Sequence, residues 1–335
     1  MYLSLNKLIP VHFVLCGTLI TLSSSSWMMA WAGLEVNMMA FIPIILTNNK
    51  LSNESALKYF FIQASGSIII FFSAVVLMQM TFSASMDVLN MLTINLIPLA
   101  LMLKLGIAPT HFWFPQLVEG LSWFALMMLL TWQKIAPLFL MSAYNMTKSL
   151  IYMAVIFSAA VGAMGGLNQL MLKKILAYSS INHLAWMIMS TTISMNTLVV
   201  YFTVYVAITT SIILLLMSNN LTHLSQLMTN QYSLSLIATG LFLNLLSLGG
   251  LPPFLGFLPK WLILVVLMSN AVFMISFVLI MCSILTLYFY MRISFNSLMM
   301  NPKLSWFNKS LLPLTWPIKL LSMMPIITLP LMIMI

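Results

Sequence analysis

Four ionisable side chains in this sequence stand where ionisable side chains are expensive. Glu35 lies in Trp31-Ala-Gly-Leu-Glu35-Val-Asn37, and Lys104 stands just before Gly106. Lys134 falls in Trp132-Gln-Lys134-Ile-Ala-Pro137, and Lys260 in Phe257-Leu-Pro-Lys260-Trp261. Each sits in or beside a long apolar run. On insertion scales a charge in the middle of a membrane helix costs ~3 kcal/mol or more. Burial disfavours the charged form of either residue type, and a neighbouring opposite charge restores it. One acid and three lysines on separate helices therefore make a set that can take up and release a proton. The plainer reading is snorkelling toward a membrane face, or one structural ion pair. His111, beside Phe112 and Trp113, and His183, in Ser179-Ser180-Ile181-Asn182-His183, have the right chemistry for a relay. They are equally well read as structural histidines, His111 by hydrogen-bonding a freed carbonyl.

The remaining ionisable residues have simpler explanations. Glu54 and Lys58 are four apart at a helix start, the spacing of a local pair. Glu119 and Lys173-Lys174 fall near a membrane interface, where topology and lipid contact account for them. His12 and His223 suggest no role.

The elements that must position these groups follow from composition. Of 335 residues only 13 are Lys or Arg and 4 are Asp or Glu, a charged share of 5% against 62% hydrophobic. Soluble domains carry roughly 25% charged residues. Between Lys174 and Lys260 no Asp, Glu, Lys or Arg occurs. A soluble fold is excluded. So is a membrane β-barrel, because the apolar runs are long and continuous rather than alternating. The expected fold is all-α, a polytopic bundle of about eleven spans, given roughly 20 residues for each crossing. The runs fall near 3–22, 25–46, 56–80, 88–118, 121–143, 149–168, 172–193, 197–218, 232–268, 271–293 and 311–333. Residues 1–335 read as one transmembrane domain, with 294–335 a polar loop and a last helix.

Two runs are too long for one span and carry helix breakers. Gly106-x-x-Pro109-x5-Pro115 and Gly250-x-x-Pro253-x5-Pro259 share one spacing, 144 residues apart. The second run is the fifth span after the first, an odd shift, so the equivalent helices run in opposite directions. That pattern predicts an inverted repeat with two discontinuous helices, its halves near 25–143 and 149–293. Broken helix at membrane depth is tolerated where it is buried in protein or lines a wet cavity. The plainer reading is that membrane helices contain Gly and Pro in any case.

Lys7, Lys50, Lys173, Lys174, Arg292, Lys303 and Lys309 collect on the side of the N-terminus. The positive-inside rule makes that the matrix or cytoplasmic side, with the C-terminus opposite. No cleavable leader is evident. The bases are scattered, so the net charge of +9 does not indicate nucleic acid. Cys16 and Cys282 both lie in apolar runs, as small core residues do. No CxxC, HExxH, Walker or GxGxxG motif occurs, so no metal, redox or nucleotide site is read.

These residues also resemble a known family, the antiporter-like membrane subunits of respiratory complex I, the proton-pumping NADH:ubiquinone oxidoreductase. The matching pieces include Gly17-Thr-Leu-Ile-Thr21, Trp31 to Asn37, Lys104-Leu-Gly-Ile-Ala-Pro109-Thr-His111-Phe-Trp113 and Leu130-Thr-Trp-Gln-Lys134-Ile-Ala-Pro137. Lys174-Ile-Leu-Ala-Tyr-Ser-Ser180, Leu246 to Pro253 and Gly256 to Trp261 continue the series, which runs from about 17 to 293. The 32 methionines fit an organelle-encoded member. The resemblance implies that Glu35, Lys104, Lys134 and Lys260 form a polar axis that moves protons. It implies no cofactor in this chain; FMN, iron–sulfur clusters and ubiquinone would belong to the parent complex. Partners would be other membrane-arm subunits and phospholipids, in the mitochondrial inner membrane. Gln116 departs from members that carry an acid there, and Lys173 from those with arginine. The alternatives to a proton-translocating subunit are a stand-alone Na+/H+ antiporter and a structural spacer.

Overall fold

The computed structural model describes residues 5–47, 49–80, 87–144, 147–229 and 235–298. Two compact units divide the chain after Ser158. The first contains α1 (Leu5–Ser23), α2 (Trp27–Ile45), α3 (Lys50–Met80), α4 (Asp87–Leu105), α5 (Trp113–Gly120), α6 (Trp123–Leu130) and α7 (Ile135–Ala143). Then α8 (Lys148–Leu167) carries the chain into the second unit. There follow α9 (Leu172–Thr191), α10 (Met195–Ser218), α11 (Leu224–Thr229), α12 (Ser235–Gly249), α13 (Phe257–Ser269) and α14 (Phe273–Leu298). Among the described residues, six helical segments are long and apolar enough to cross a membrane, and four shorter apolar helices accompany them. The expected spans from 3–22 through 271–293 each coincide with helix. The expected span 311–333 lies outside the described residues.

A helix satisfies every backbone hydrogen bond within itself, which hydrocarbon demands. Hydroxyls in these apolar helices turn back onto their own carbonyls, as Thr21 Oγ1 does to Thr18 O and Ser158 Oγ to Ala154 O. Ser26, Ser122 and Ser194 cap helix starts by accepting from the N–H three residues on. The exterior is apolar: Phe61, Ile68, Phe72, Phe277 and Met274 are exposed, whereas Lys104, Lys134 and Lys260 are buried. This inverts the arrangement of a soluble protein. In the first unit α1 and α2 meet backbone to backbone. A Cβ on Gly17 would stand 2.8 Å from the Asn37 nitrogen, and one on Gly33 2.9 Å from the Gly17 oxygen. Small residues permit that approach, and close packing is what holds helices together in lipid.

Both predicted breaks are present, and locally they are the same motif. Gly106 has φ +73° and Gly250 φ +81°. The Ile107 N–H donates to Met102 O at 3.0 Å and the Gly106 N–H to Leu103 O at 3.2 Å. Exactly as far along the second helix, Leu251 donates to Leu246 O at 3.5 Å and Gly250 to Ser247 O at 3.0 Å. This is the Schellman ending, in which a left-handed residue closes the last turn on itself.

A third break was not expected. The span 121–143 is interrupted by a 3-10 turn at Trp132–Lys134, between α6 and α7. Pro137 has no N–H to offer the Gln133 carbonyl. Thr131 Oγ1 also bonds Met127 O at 2.7 Å, a back-bond that bends helices.

Candidate functional site

In the first unit, Lys104 ends α4 and Lys134 ends the 3-10 turn, and the two meet at one cavity. The cavity measures about 20 Å3, space for one water molecule. Its polar lining is Asn37, Tyr59, Gln63, Lys104, Gln133 and Lys134; Leu34, Trp113, Phe114 and Pro137 are among the apolar walls. Lys104 is 6% exposed and Lys134 2%, so neither reaches bulk water. Gly66 on α3 makes room for the Lys104 stem, whose Cγ would lie 3.1 Å from a Cβ there. The Lys134 ammonium stands 5.9 Å from the centroid of the Phe114 ring, within cation–π range.

The break leaves carbonyls with acceptor capacity to spare, and neutral side chains take it up. Gln63 Nε2 donates to Lys104 O at 3.1 Å, and Trp113 Nε1 to Leu103 O at 3.2 Å. The Lys104 ammonium is thereby left available to the cavity. Glu35 on α2 is half-buried and lies within electrostatic reach of Lys104. It lines an open apolar groove between α1 and α2, of about 670 Å3, with Phe13, Trp31 and Met39. His111 is buried, with Nδ1 3.2 Å from Pro109 O and its ring 4.3 Å from that of Phe112. It is not among the residues that line the cavity.

The second unit uses its break differently. Lys260, in the first turn of α13, donates from Nζ to Gly249 O at 2.9 Å and to Leu248 O at 3.2 Å. An ammonium thus caps the broken end of α12, where the helix dipole is negative. The same ammonium stands 5.9 Å from the Trp186 ring centroid. His183, three residues before Trp186 on α9, holds Tyr201 through Nδ1 at 2.9 Å. Its ring packs 5.3 Å from that of Tyr205, which is hydrogen-bonded to Ser180. Asn182 reaches Thr286 of α14.

Of the six residues singled out by sequence, the structure therefore joins Lys104, Lys134 and the field of Glu35 in the first unit. Lys260 and His183 belong to a polar interior in the second. Sequence reasoning passed over Asn37, Tyr59, Gln63 and Gln133 because it counted charges. Amides at membrane depth, two and one residues from Glu35 and Lys134, were the available signal. Among the described residues no three His, Cys, Asp or Glu side chains gather as metal ligands would.

Two paired lysine breaks, opened by glycines of one spacing, are matched by the transmembrane profile described as NADH:quinone oxidoreductase/Mrp antiporter, which covers residues 24–287. The chain belongs to that family. Among its relatives, NADH-ubiquinone oxidoreductase chain 2 of Anopheles gambiae is 43% identical over 297 residues, 88% of this chain and 86% of that one. The protein of the same name in Locusta migratoria is 41% identical over 308 residues, 91% and 90% of the two chains. The fold is similar to a chain in the structure of respiratory complex I from Thermus thermophilus with bound aureothin. There the TM-score is 0.86 at 21% identity, over 99% of this chain and 78% of that one.

Proposed function

We propose that this member of the NADH:quinone oxidoreductase/Mrp antiporter family is a proton-translocating subunit in the membrane arm of NADH:ubiquinone oxidoreductase. The observation that carries the reading is two buried lysines, Lys104 and Lys134, on one water-sized cavity beside a broken helix. The names of its relatives support the assignment to that enzyme.

The chemistry is a transfer of one proton at a time. The Glu35 carboxylate attracts the proton held as the Lys104 ammonium. When that attraction is weakened, by a shift of α2 or by a neighbouring charge, Lys104 gives the proton to a water in the cavity. The Lys134 amine then accepts a proton from that water, and Lys104 is left as the free amine. Lys260, seated on the carbonyls of Leu248 and Gly249, serves the corresponding role at the second break, with His183 as a neighbouring carrier. Electron transfer occurs elsewhere in the enzyme; this chain holds no cofactor of its own. Its partners are the other membrane-arm subunits and phospholipid. It lies in the mitochondrial inner membrane with the N-terminus toward the matrix, a reading its lysine asymmetry supports.

The test is the holoenzyme carrying Lys134→Met, reconstituted in liposomes. Proton pumping is lost and quinone reduction slows. Pumping at the normal number of protons per electron overturns the relay. Replacing sodium by choline leaves wild-type pumping unchanged. Dependence on sodium would favour an antiporter of the Mrp kind.

A further inference from the structure

Lys134 sits on a turn that its own backbone holds weakly. Pro137 withholds the N–H that an unbroken helix would send to the Gln133 carbonyl. Two 3-10 bonds close the turn, from the Lys134 N–H to Thr131 O at 3.3 Å and from the Ile135 N–H to Trp132 O, and bonds of that kind have poorer geometry than α-helical ones. The Thr131 hydroxyl is already spent on Met127. The position of this turn over the cavity therefore depends also on contacts made outside its backbone.

The side chain next to it is fixed from two sides. Gln133 Nε2 donates to Asn37 Oδ1 at 2.9 Å, and Gln133 Oε1 accepts from the Tyr59 hydroxyl at 3.4 Å. Asn37 belongs to α2 and Tyr59 to α3, and both are buried, at 3% and 2% exposure. Tyr59 is itself wedged between rings, 5.2 Å from Phe41 and 6.4 Å from Trp113. The amide is thus clamped between two helices at the level of the cavity, and all three clamping residues line it. At 3.6 residues per turn, Asn37 and Glu35 point to nearly opposite sides of α2. Glu35 faces the open groove and Asn37 the cavity.

We propose that Asn37, Gln133 and Tyr59 are positioning residues for Lys134, holding its turn so that the ammonium faces Lys104 across the cavity. The clamp also ties the turn to α2, the helix that carries Glu35. A displacement of α2 when the charge near Glu35 changes is passed through Asn37 to the turn bearing Lys134. The two lysines are then set to exchange a proton by the same helix whose acid governs the first of them. This inference rests on the relay reading above, but concerns residues that the relay itself does not protonate.

The experiment uses holoenzyme in liposomes, with rates normalised to assembled complex. Gln133→Leu and Asn37→Leu each lower the pumping rate about tenfold, the scale on which small misplacements slow a positioned reaction. The exchange Asn37→Gln with Gln133→Asn keeps the summed reach of the two amides but draws residue 133 away from Tyr59, so it restores part of the rate, above that of either leucine variant, as coupled sites do. Wild-type rates in the single variants, or no recovery in the exchange, overturn the proposal. Should the leucine variants fail to assemble, Tyr59→Phe, which removes one hydrogen bond and keeps the ring, is expected to slow pumping, and an unchanged rate overturns the clamp. If Lys134→Met pumps normally, the relay itself fails. If Lys134→Met is inactive while Gln133→Leu pumps normally, only the clamp fails.

Discussion

The two Schellman endings differ in one contact, and alanine substitution isolates it. Gly106 and Gly250 both adopt positive φ. An alanine there pays a left-handed backbone penalty of ~1–2 kcal/mol, which the two sites share. At Gly106 the new Cβ meets the Cβ and Cδ2 of Phe114, both at 3.2 Å, a contact that a shift of that side chain by a few tenths of an ångström relieves. At Gly250 it stands 2.9 Å from both Cδ and Nζ of Lys260. The end of the lysine must shift, which draws its ammonium off the carbonyls of Leu248 and Gly249. Hydrogen bonds from a charged donor are worth ~1.5–3 kcal/mol each, so the loss of one of the two adds about that much. Gly249→Ala is the control, since a Cβ there meets nothing closer than Leu287 at 3.3 Å and φ is not positive. The assay is thermal inactivation of the purified holoenzyme, together with proton uptake into liposomes followed by a pH-sensitive dye. Gly106→Ala assembles, loses a little thermal stability and pumps. Gly250→Ala is much less stable and pumps poorly. Equal losses at the two glycines, or wild-type pumping by Gly250→Ala, would refute the claim that the seat of Lys260 matters.

Three further outcomes follow from particular contacts. Pro137→Ala restores the N–H missing at the third break; because Pro137 stands in the first turn of α7, where an N–H has no partner within its own helix, thermal stability changes little while pumping slows, and unchanged pumping would show the break to be dispensable. Gly33→Ala overpacks the crossing of α1 and α2 and destabilises by ~1–3 kcal/mol, and Gly33→Leu prevents assembly; normal amounts of assembled complex with leucine would contradict the close approach. Tyr201→Phe removes the hydrogen bond between its hydroxyl and Nδ1 of buried His183 and lowers stability by ~0.5–1.5 kcal/mol, which a denaturation midpoint would show; no shift would mean the hydroxyl is not bonded there.

Sequence and structure divided the account along a physical line. Gly106 and Gly250 were readable because a left-handed helix ending is a local event, set by a missing Cβ and by prolines a few residues on. The third break had a local signal too, in Pro137, but a single proline within an apolar run of ordinary length did not demand a break. Asn37, Tyr59, Gln63 and Gln133 escaped notice because neutral amides and phenols bear no mark of being partners until the helices that carry them are packed together.

By itself the sequence determined that the chain is helical and membrane-bound, since 5% charge cannot cover a soluble surface. It also determined where two helices break, and which charges are costly enough to need a reason. Only the tertiary structure decided what each lysine does with its break. Lys104 leaves its carbonyls to Gln63 and Trp113 and turns its ammonium to a cavity, whereas Lys260 caps the carbonyls itself. The motifs at the two breaks are alike within a few residues. Each break takes a partner from the half-helix that follows it, Trp113 at one and Lys260 at the other; what separates them is Gln63, which comes from α3. Such partners are chosen by packing between remote segments, which local spacing does not encode.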